Sequence, residues 1–381
     1  MKKLFTAATA WTLAVCLFLI PAGAVAQAPQ SGAGASLLME RSTGTILYEQ
    51  NATAHFEPAS VTKVMTLLLI MEAIDDGRLS LHDTVTVSAH AASMGGSQVY
   101  LEENEQMTVH DLLKATVVVS GNDASVALAE QLMGSEEAFV ARMNERAAEL
   151  GMTETHFVDC TGLTDDANHY SCARDIAIMS RELLGHELIR DYTTIWIDSL
   201  RNGEFGLANT NKLVRYYDGT TGLKTGYTPS AGHCLSASAE RGGMELIAVI
   251  LKAPSSAERF EDAKALLNYG FANFALVSLT PDEALPPVTV SLGTQKTVQP
   301  VLGDAASVVV PKEDQPRIEK SVTLTESVQA PVKAGDPLGE VTLTLDGEVI
   351  ATAQLVADTD VARLTVGGIF HRMLRTLFMA G

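Results

Sequence analysis

The sequence predicts a mixed α/β (α+β) fold over residues 36–274, in which an antiparallel sheet drawn from both ends of the segment carries helices on its faces. A small all-β region and an amphipathic terminal helix follow. Three observations carry this reading: a strand hairpin opens the segment, helical periodicity fills its middle, and alternating strands return before one closing helix. Ser36-Leu37-Leu38-Met39 and Thr45-Ile46-Leu47-Tyr48 flank a turn at Ser42-Thr43-Gly44. From Ser60 to Asp75, Val64, Leu67, Leu68, Met71 and Ile74 recur at helical spacing, with Pro58 just ahead. Thr108 opens a helix over Val109–Val119. Further helices are expected over Ala124–Met133, over Glu136–Leu150 with Gly151 as the stop, and over Ala173–Leu184. Strands are expected at Trp196–Leu200, His233–Ala239 and Glu245–Leu251, and a closing helix at Ser256–Phe274.

Composition changes near residue 277. Residues 277–358 are rich in Val and Thr, alternate in short runs such as Glu340-Val341-Thr342-Leu343-Thr344-Leu345, and carry a hairpin signal at Asp346-Gly347. Residues 359–381 read as a helix with Leu364, Ile369, Phe370, Met373, Leu374, Leu377 and Phe378 on one broad face. Arg363, Arg372 and Arg375 lie off that face. A basic amphipathic end on an acidic chain suits an interface with anionic lipid; packing on the β-region or on a partner is the other reading.

The chain has 381 residues and a formal net charge of −19, with 27 Lys plus Arg against 46 Asp plus Glu. That balance argues against a nucleic-acid partner, because no broad basic surface is available to neutralise phosphates. Lys2 and Lys3, the apolar run Phe5–Ile20 and Ala24-Val25-Ala26 read as a secretory signal peptide over residues 1–26. Beyond it Cys160, Cys172 and Cys234 remain, an odd number. A Cys160–Cys172 bridge and three buried thiols are both compatible with the spacing. The nine histidines show no ligand spacing, so no metal site is expected, and His169 beside Asp165 and Asp166 reads as a polar loop. Gly95-Gly96-Ser97 is a turn, not a phosphate loop, since no Gly-Lys-Ser/Thr follows.

Three short motifs carry candidate chemistry. In Ser60-Val61-Thr62-Lys63 the helical spacing places the Lys63 amine near the Ser60 hydroxyl. A serine nucleophile needs a base, and a lysine serves once burial pulls its pKa towards neutrality. Ser120-Gly121-Asn122 offers a hydroxyl that can pass a proton and an amide that can hold a peptide backbone. Lys224-Thr225-Gly226 offers a cation, a hydroxyl and a gap beside the backbone. Taken singly, each also reads blandly: a helix start, a helix C-cap and a surface turn.

In this order and after an export signal, the three motifs are specific. The chain resembles the low-molecular-mass penicillin-binding proteins that are D-alanyl-D-alanine carboxypeptidases. The likeness runs through Pro58-Ala59-Ser60-Val61-Thr62-Lys63-Val64-Met65-Thr66, Ser120-Gly121-Asn122-Asp123-Ala124-Ser125, His169-Tyr170-Ser171 and Gly335-Asp336-Pro337-Leu338-Gly339. The resemblance implies a β-lactamase/transpeptidase-like domain at residues 36–274 and a small β-domain at 277–358. It implies that Ser60 attacks the penultimate D-alanine carbonyl, Lys63 is the base and Ser120 relays the proton. Asn122 would hold the substrate amide, while Lys224 and Thr225 bind its carboxylate and Gly226 gives room for its backbone. The backbone N–H groups of Ser60 and Tyr227 would form the oxyanion hole.

The implied partners are a peptidoglycan stem peptide ending in D-Ala-D-Ala, β-lactams as inhibitors, and a membrane surface contacted by the terminal helix. The implied location is the outer face of the cytoplasmic membrane or the cell wall, and no cofactor or metal is implied. Tyr227 stands where some relatives carry His, and Cys172 has no assigned role. Three other readings share the motifs. A D-Ala endopeptidase uses the same fold. A β-lactamase lacks support, because no Glu-x-x-Leu-Asn lies between Ser120 and Lys224 and the regions past 277 have no place in it. A non-catalytic wall-binding protein would not need every motif residue intact.

Overall fold

The structure, a computed structural model, describes residues 28–303, 307–370 and 373. The expected signal peptide, and residues 371, 372 and 374–381 of the expected terminal helix, lie outside the described residues.

The expected hairpin is β1 (Ala35–Glu40) and β2 (Ile46–Gln50). A single 3-10 turn, Ala59–Thr62, then leads straight into α1 (Lys63–Asp75). From Val64 to Met71 every residue of α1 is buried, as expected of a central helix that is apolar on all sides. Around it lie β3 (Thr84–Thr86), the short α2 (Ala89–Ala92), β4 (Gln106–Thr108), α3 (Val109–Val118), α4 (Asn122–Met133), α5 (Glu136–Glu149) and α6 (Ala173–Leu183). Thr108 caps α3 by accepting the Asp111 N–H, and Ser135 caps α5 by accepting the Ala138 N–H. The single turn α7 (Arg190–Thr193) precedes β5 (Ile197–Leu200) and β6 (Phe205–Ala208), and α8 (Leu213–Tyr216) leads into β7 (Thr220–Thr228). Then come β8 (Gly232–Arg241), β9 (Met244–Ala253) and α9 (Ser256–Asn273).

The central sheet is antiparallel throughout, in the order β2-β1-β9-β8-β7. Both ends of the segment therefore build one sheet. The opening hairpin pairs with β9, so the long loop between them is closed by ladder bonds such as Leu37 opposite Val249. One face of the sheet packs against α1 and α6 in the larger core, and the other against α9 through Phe260, Ala263, Leu266 and Leu267. Two expectations are corrected. The strand at 197–200 stays out of this sheet and pairs only with β6, because Ile197 is exposed and the segment has one face to bury. The strand β7, read from sequence as a possible turn, forms the sheet's free edge.

The chain past α9 is all β. It comprises β10 (Phe274–Ser278), β11 (Val288–Ser291), β12 (Thr297–Val298), β13 (Pro300–Leu302), β14 (Ser307–Pro311), β15 (Ile318–Leu324), β16 (Ser327–Gln329), β17 (Pro337–Leu345) and β18 (Glu348–Ala357). Two small cores hold it, one around Val290, Val332 and Leu338, the other around Val341, Leu343 and Leu355. Asp346 (φ 51°) and Gly347 (φ 86°) make the turn joining β17 to β18, with both central residues left-handed as a two-residue hairpin demands. The terminal helix starts later than expected. Val361 is buried in the β-core and bridges Val332, and Arg363 bridges Gly293, so among the described residues helix appears only from 366.

Candidate active site

The nucleophile turn, α4 and the edge strand β7 converge on one groove. Ser60 sits on the 3-10 turn behind Ala59, whose φ of 48° lies in the left-handed region. Such a conformation in a non-glycine residue marks local strain of the kind found at functional turns. The turn presents Ser60 at the groove while Val61 and Thr62 go into the core.

Lys63 is fully buried at the start of α1. Its Nζ donates to Ser60 Oγ at 3.0 Å, to Asn122 Oδ1 at 2.6 Å and to the Thr161 carbonyl at 2.9 Å. Burial pulls its pKa down to about 8, partly opposed by the Asp159 and Asp123 carboxylates. The ammonium is thus held by three acceptors, yet its pKa lies near the range in which the neutral amine is available to accept a proton from Ser60.

Asn122 is positioned from both sides. Its Nδ2 donates to the Gly95 carbonyl at 2.8 Å and its backbone N–H donates to Ser97 at 2.7 Å. The Gly95-Gly96-Ser97 turn, set aside in the sequence as a phosphate loop, is the wall that orients this amide. Next to it the buried Asp123 carboxylate accepts the N–H groups of Val99, Leu101 and Ala124. Ser120 lies at the kink between α3 and α4, buried and with φ 65°. Its hydroxyl is not part of the bonded chain that joins Ser60, Lys63 and Asn122.

Across the groove, β7 carries Lys224, Thr225, Gly226 and Tyr227. Lys224 is buried, with its pKa pushed far down by burial and then by Lys63 and Arg259. Its Nζ donates to the Thr225 carbonyl at 2.8 Å. Thr225 Oγ1 donates to Thr210 Oγ1 at 2.8 Å. A Cβ on Gly226 would lie 2.8 Å from the Pro58 carbonyl oxygen and 3.0 Å from the Ser60 nitrogen. Glycine is therefore what lets β7 close on the nucleophile turn. Tyr227 is 57 % exposed at the rim, its ring stacked on His233 at 4.4 Å.

Several contributors escaped the sequence reading. Arg259 of α9 is buried behind β7 and donates to the Gly226 and Cys234 carbonyls at 2.9 and 3.2 Å. It adds a buried cation behind the site, and its ordinary position on α9 gave no sign of this in the sequence. His169 is no solvated loop residue: it is buried, with Nε2 2.8 Å from Thr62 Oγ1 and Nδ1 accepting the Val158 N–H. That backbone donor leaves the proton on Nε2, and burial keeps the ring neutral by lowering its pKa. Cys160, Cys172 and Cys234 are free and buried. Burial pushes Cys172 up to about 12 and Cys234 to about 11, which leaves both unreactive thiols. Among the described residues no cluster of His, Cys, Asp or Glu could hold a metal ion.

A serine hydroxyl bonded to a buried amine, with the buried Lys224 and Arg259 on the side of β7, is an arrangement able to do acyl transfer on an anionic substrate. Residues 22–255 match the family model of the D-alanyl-D-alanine carboxypeptidases, peptidase family S11, and residues 278–363 match the C-terminal domain of penicillin-binding protein 5. The chain is 41 % identical to the D-alanyl-D-alanine carboxypeptidase DacF of Bacillus subtilis, covering 95 % of each. It is 35 % identical to DacC of Escherichia coli, covering 91 % of this chain and 88 % of that one. Penicillin-binding protein 5 of Haemophilus influenzae superposes with a TM-score of 0.74 at 33 % identity, over 88 % of this chain and 99 % of that chain. Penicillin-binding protein D2 of Listeria monocytogenes, solved in an ampicillin-bound form, superposes at 0.59 with 32 % identity, over 64 % of this chain and 98 % of that chain. The chain belongs to the serine-type D-alanyl-D-alanine carboxypeptidases, the penicillin-binding S11 peptidases.

Proposed function

We propose that Ser60 is the nucleophile that removes the terminal D-alanine from stem pentapeptides. Neutral Lys63 takes the Ser60 proton as Oγ attacks the penultimate carbonyl carbon. The developing oxyanion is held by the Ser60 and Tyr227 N–H groups. Ser120 then gives its proton to the leaving D-alanine nitrogen and takes one from Lys63, the C–N bond breaks, and an acyl-enzyme ester remains with Lys63 neutral again. A water hydrolyses that ester with Lys63 again as base. Asn122 aligns the substrate amide, Lys224 and Thr225 bind the terminal carboxylate, and Gly226 leaves space for its backbone. An arriving carboxylate favours the charged form of the buried Lys224 and offsets its repulsion from Arg259, so the site favours a free C-terminus over an internal peptide bond. β-Lactams would trap Ser60 as a slow ester.

The observation that carries this reading is the Lys63 ammonium bonded at once to Ser60 Oγ and Asn122 Oδ1. The reading includes export and residence at the outer face of the cytoplasmic membrane, with the basic amphipathic terminus lying on the lipid. Among the described residues no helix is long and apolar enough to cross a membrane. The test is intact-mass spectrometry of the protein with benzylpenicillin, beside D-alanine release from an N-acetylated peptide ending in D-Ala-D-Ala. A single lasting adduct and steady D-alanine release, both lost in Ser60→Ala, are expected. An adduct that persists in Ser60→Ala sinks the assignment.

A further inference from the structure

Beyond the end of β7 lies a second cavity, of about 360 Å³, lined by His55, Phe56, Glu57, Tyr170, Ser230 and Lys252 among others. Nothing in the mechanism above uses it. Its charges have an unusual pattern. His55 Nε2 is hydrogen-bonded to Glu154 at 2.6 Å and its ring stacks on Tyr170 at 4.3 Å. Glu57 accepts the Ser230 hydroxyl but has no cation partner among the described residues. Lys252 has no carboxylate partner among them either; its Nζ stands 5.9 Å from the centre of the Phe56 ring. A carboxylate and an ammonium, neither of them in an ion pair among the described residues, thus line one cavity. Lys252 also has a left-handed backbone, φ 55°, a strained setting for a surface lysine.

The position of the cavity follows from the groove, and this step rests on the function proposed above. With the substrate carboxylate at Thr225 and the oxyanion at Tyr227, the peptide runs antiparallel to β7, and its upstream part passes Thr228 towards Ser230 and Ala231. An extended peptide rises about 3.3 Å per residue, so the third residue from the C-terminus lies about 7–10 Å from the carboxylate, level with the end of β7. A long side chain from that residue reaches the cavity.

The geometry points to a subsite for a side chain that itself ends in an amino-acid group, with an ammonium paired to Glu57 and a carboxylate paired to Lys252. The substrate class is a stem peptide with a diamino diacid at the third position. A side chain with an ammonium alone fills half of the site, and a plain alkyl chain fills none of it.

The experiment measures kcat/KM for D-alanine release from three N-acetyl-X-D-Ala-D-Ala peptides, where X is meso-diaminopimelate, lysine or norleucine. The rate of acylation by benzylpenicillin serves as the internal reference. In the native protein the order diaminopimelate, lysine, norleucine is expected, with about tenfold per charge-assisted contact. Lys252→Met collapses the diaminopimelate-to-lysine ratio, and Glu57→Gln collapses the lysine-to-norleucine ratio. Native protein that hydrolyses all three alike overturns the subsite and leaves the Ser60 reading standing. So do variants that slow all three peptides by one factor. Native protein that releases D-alanine from none of them overturns the Ser60 reading and the subsite with it.

Discussion

The two halves of the molecule bury different things. Among the described residues, every buried polar or charged side chain lies between Ser36 and Arg259, and the β-region beyond 277 has none. The β-region folds on valine, leucine and alanine alone, with its charges in water. The first half instead buries Lys63, Lys224, Asp123 and Arg259 and answers most of that cost with hydrogen bonds. A buried charge stabilises a fold poorly, but it is reactive and strongly responsive to an incoming partner. Chemistry and packing have therefore been separated along the chain.

Replacing Lys63 probes that separation with the largest expected effect. Lys63→Met should slow benzylpenicillin acylation by about 10³-fold, the usual weight of a general base. The pH profile gives the companion measurement. Lys63 acts when neutral and its pKa is about 8. The native acylation rate should climb about tenfold per pH unit below 8 and level off above it. A flat profile from pH 6 to 9 would remove Lys63 from the role of base.

Next in size is the contact between β7 and the nucleophile turn. Gly226→Ala places a methyl 2.8 Å from the Pro58 carbonyl oxygen and 3.0 Å from the Ser60 nitrogen. Pushing the turn aside by even part of an ångström should lower acylation by about 10–100-fold, while far-ultraviolet circular dichroism stays native. Unaltered acylation would show that the turn yields freely.

The smallest expected effect on rate comes from the other half. Leu343, fully buried in β17, anchors one of the β-cores. Leu343→Ala should destabilise that region by about 2–4 kcal/mol, seen as an earlier denaturation transition. The acylation rate should stay within about twofold, because no buried charge there feeds the site. A rate loss as large as that of Gly226→Ala would mean the halves are mechanically coupled.

Much of this organisation was legible in the residues. The helices announced themselves by periodicity and caps, such as Thr108 and Ser135, and the three motifs by their order. What stayed hidden has physical reasons. The strand β7 is flanked by glycines and threonines and buried nearly throughout, so it lacks the alternation that marks a half-exposed strand. Arg259 sits on a helix with ordinary amphipathic spacing, and only the fold shows that it turns inward to two strand carbonyls. His169 looked solvated because its neighbours Asp165 and Asp166 are exposed, yet Thr62 and Val158 hold it inside. The terminal helix was set too early because nothing local marks Val361 and Arg363 as bridge positions; their partners Val332 and Gly293 lie far away in the sequence.

The free edge of β7 has one more implication, for solubility. An unpaired edge strand offers a row of backbone donors and acceptors on which another molecule's strand can grow. Here the Ala59–Thr62 turn packs on the face of β7 beside that edge, close enough that only Gly226 fits beneath it. A bulky turn lying over the strand narrows the approach of a second sheet to that edge.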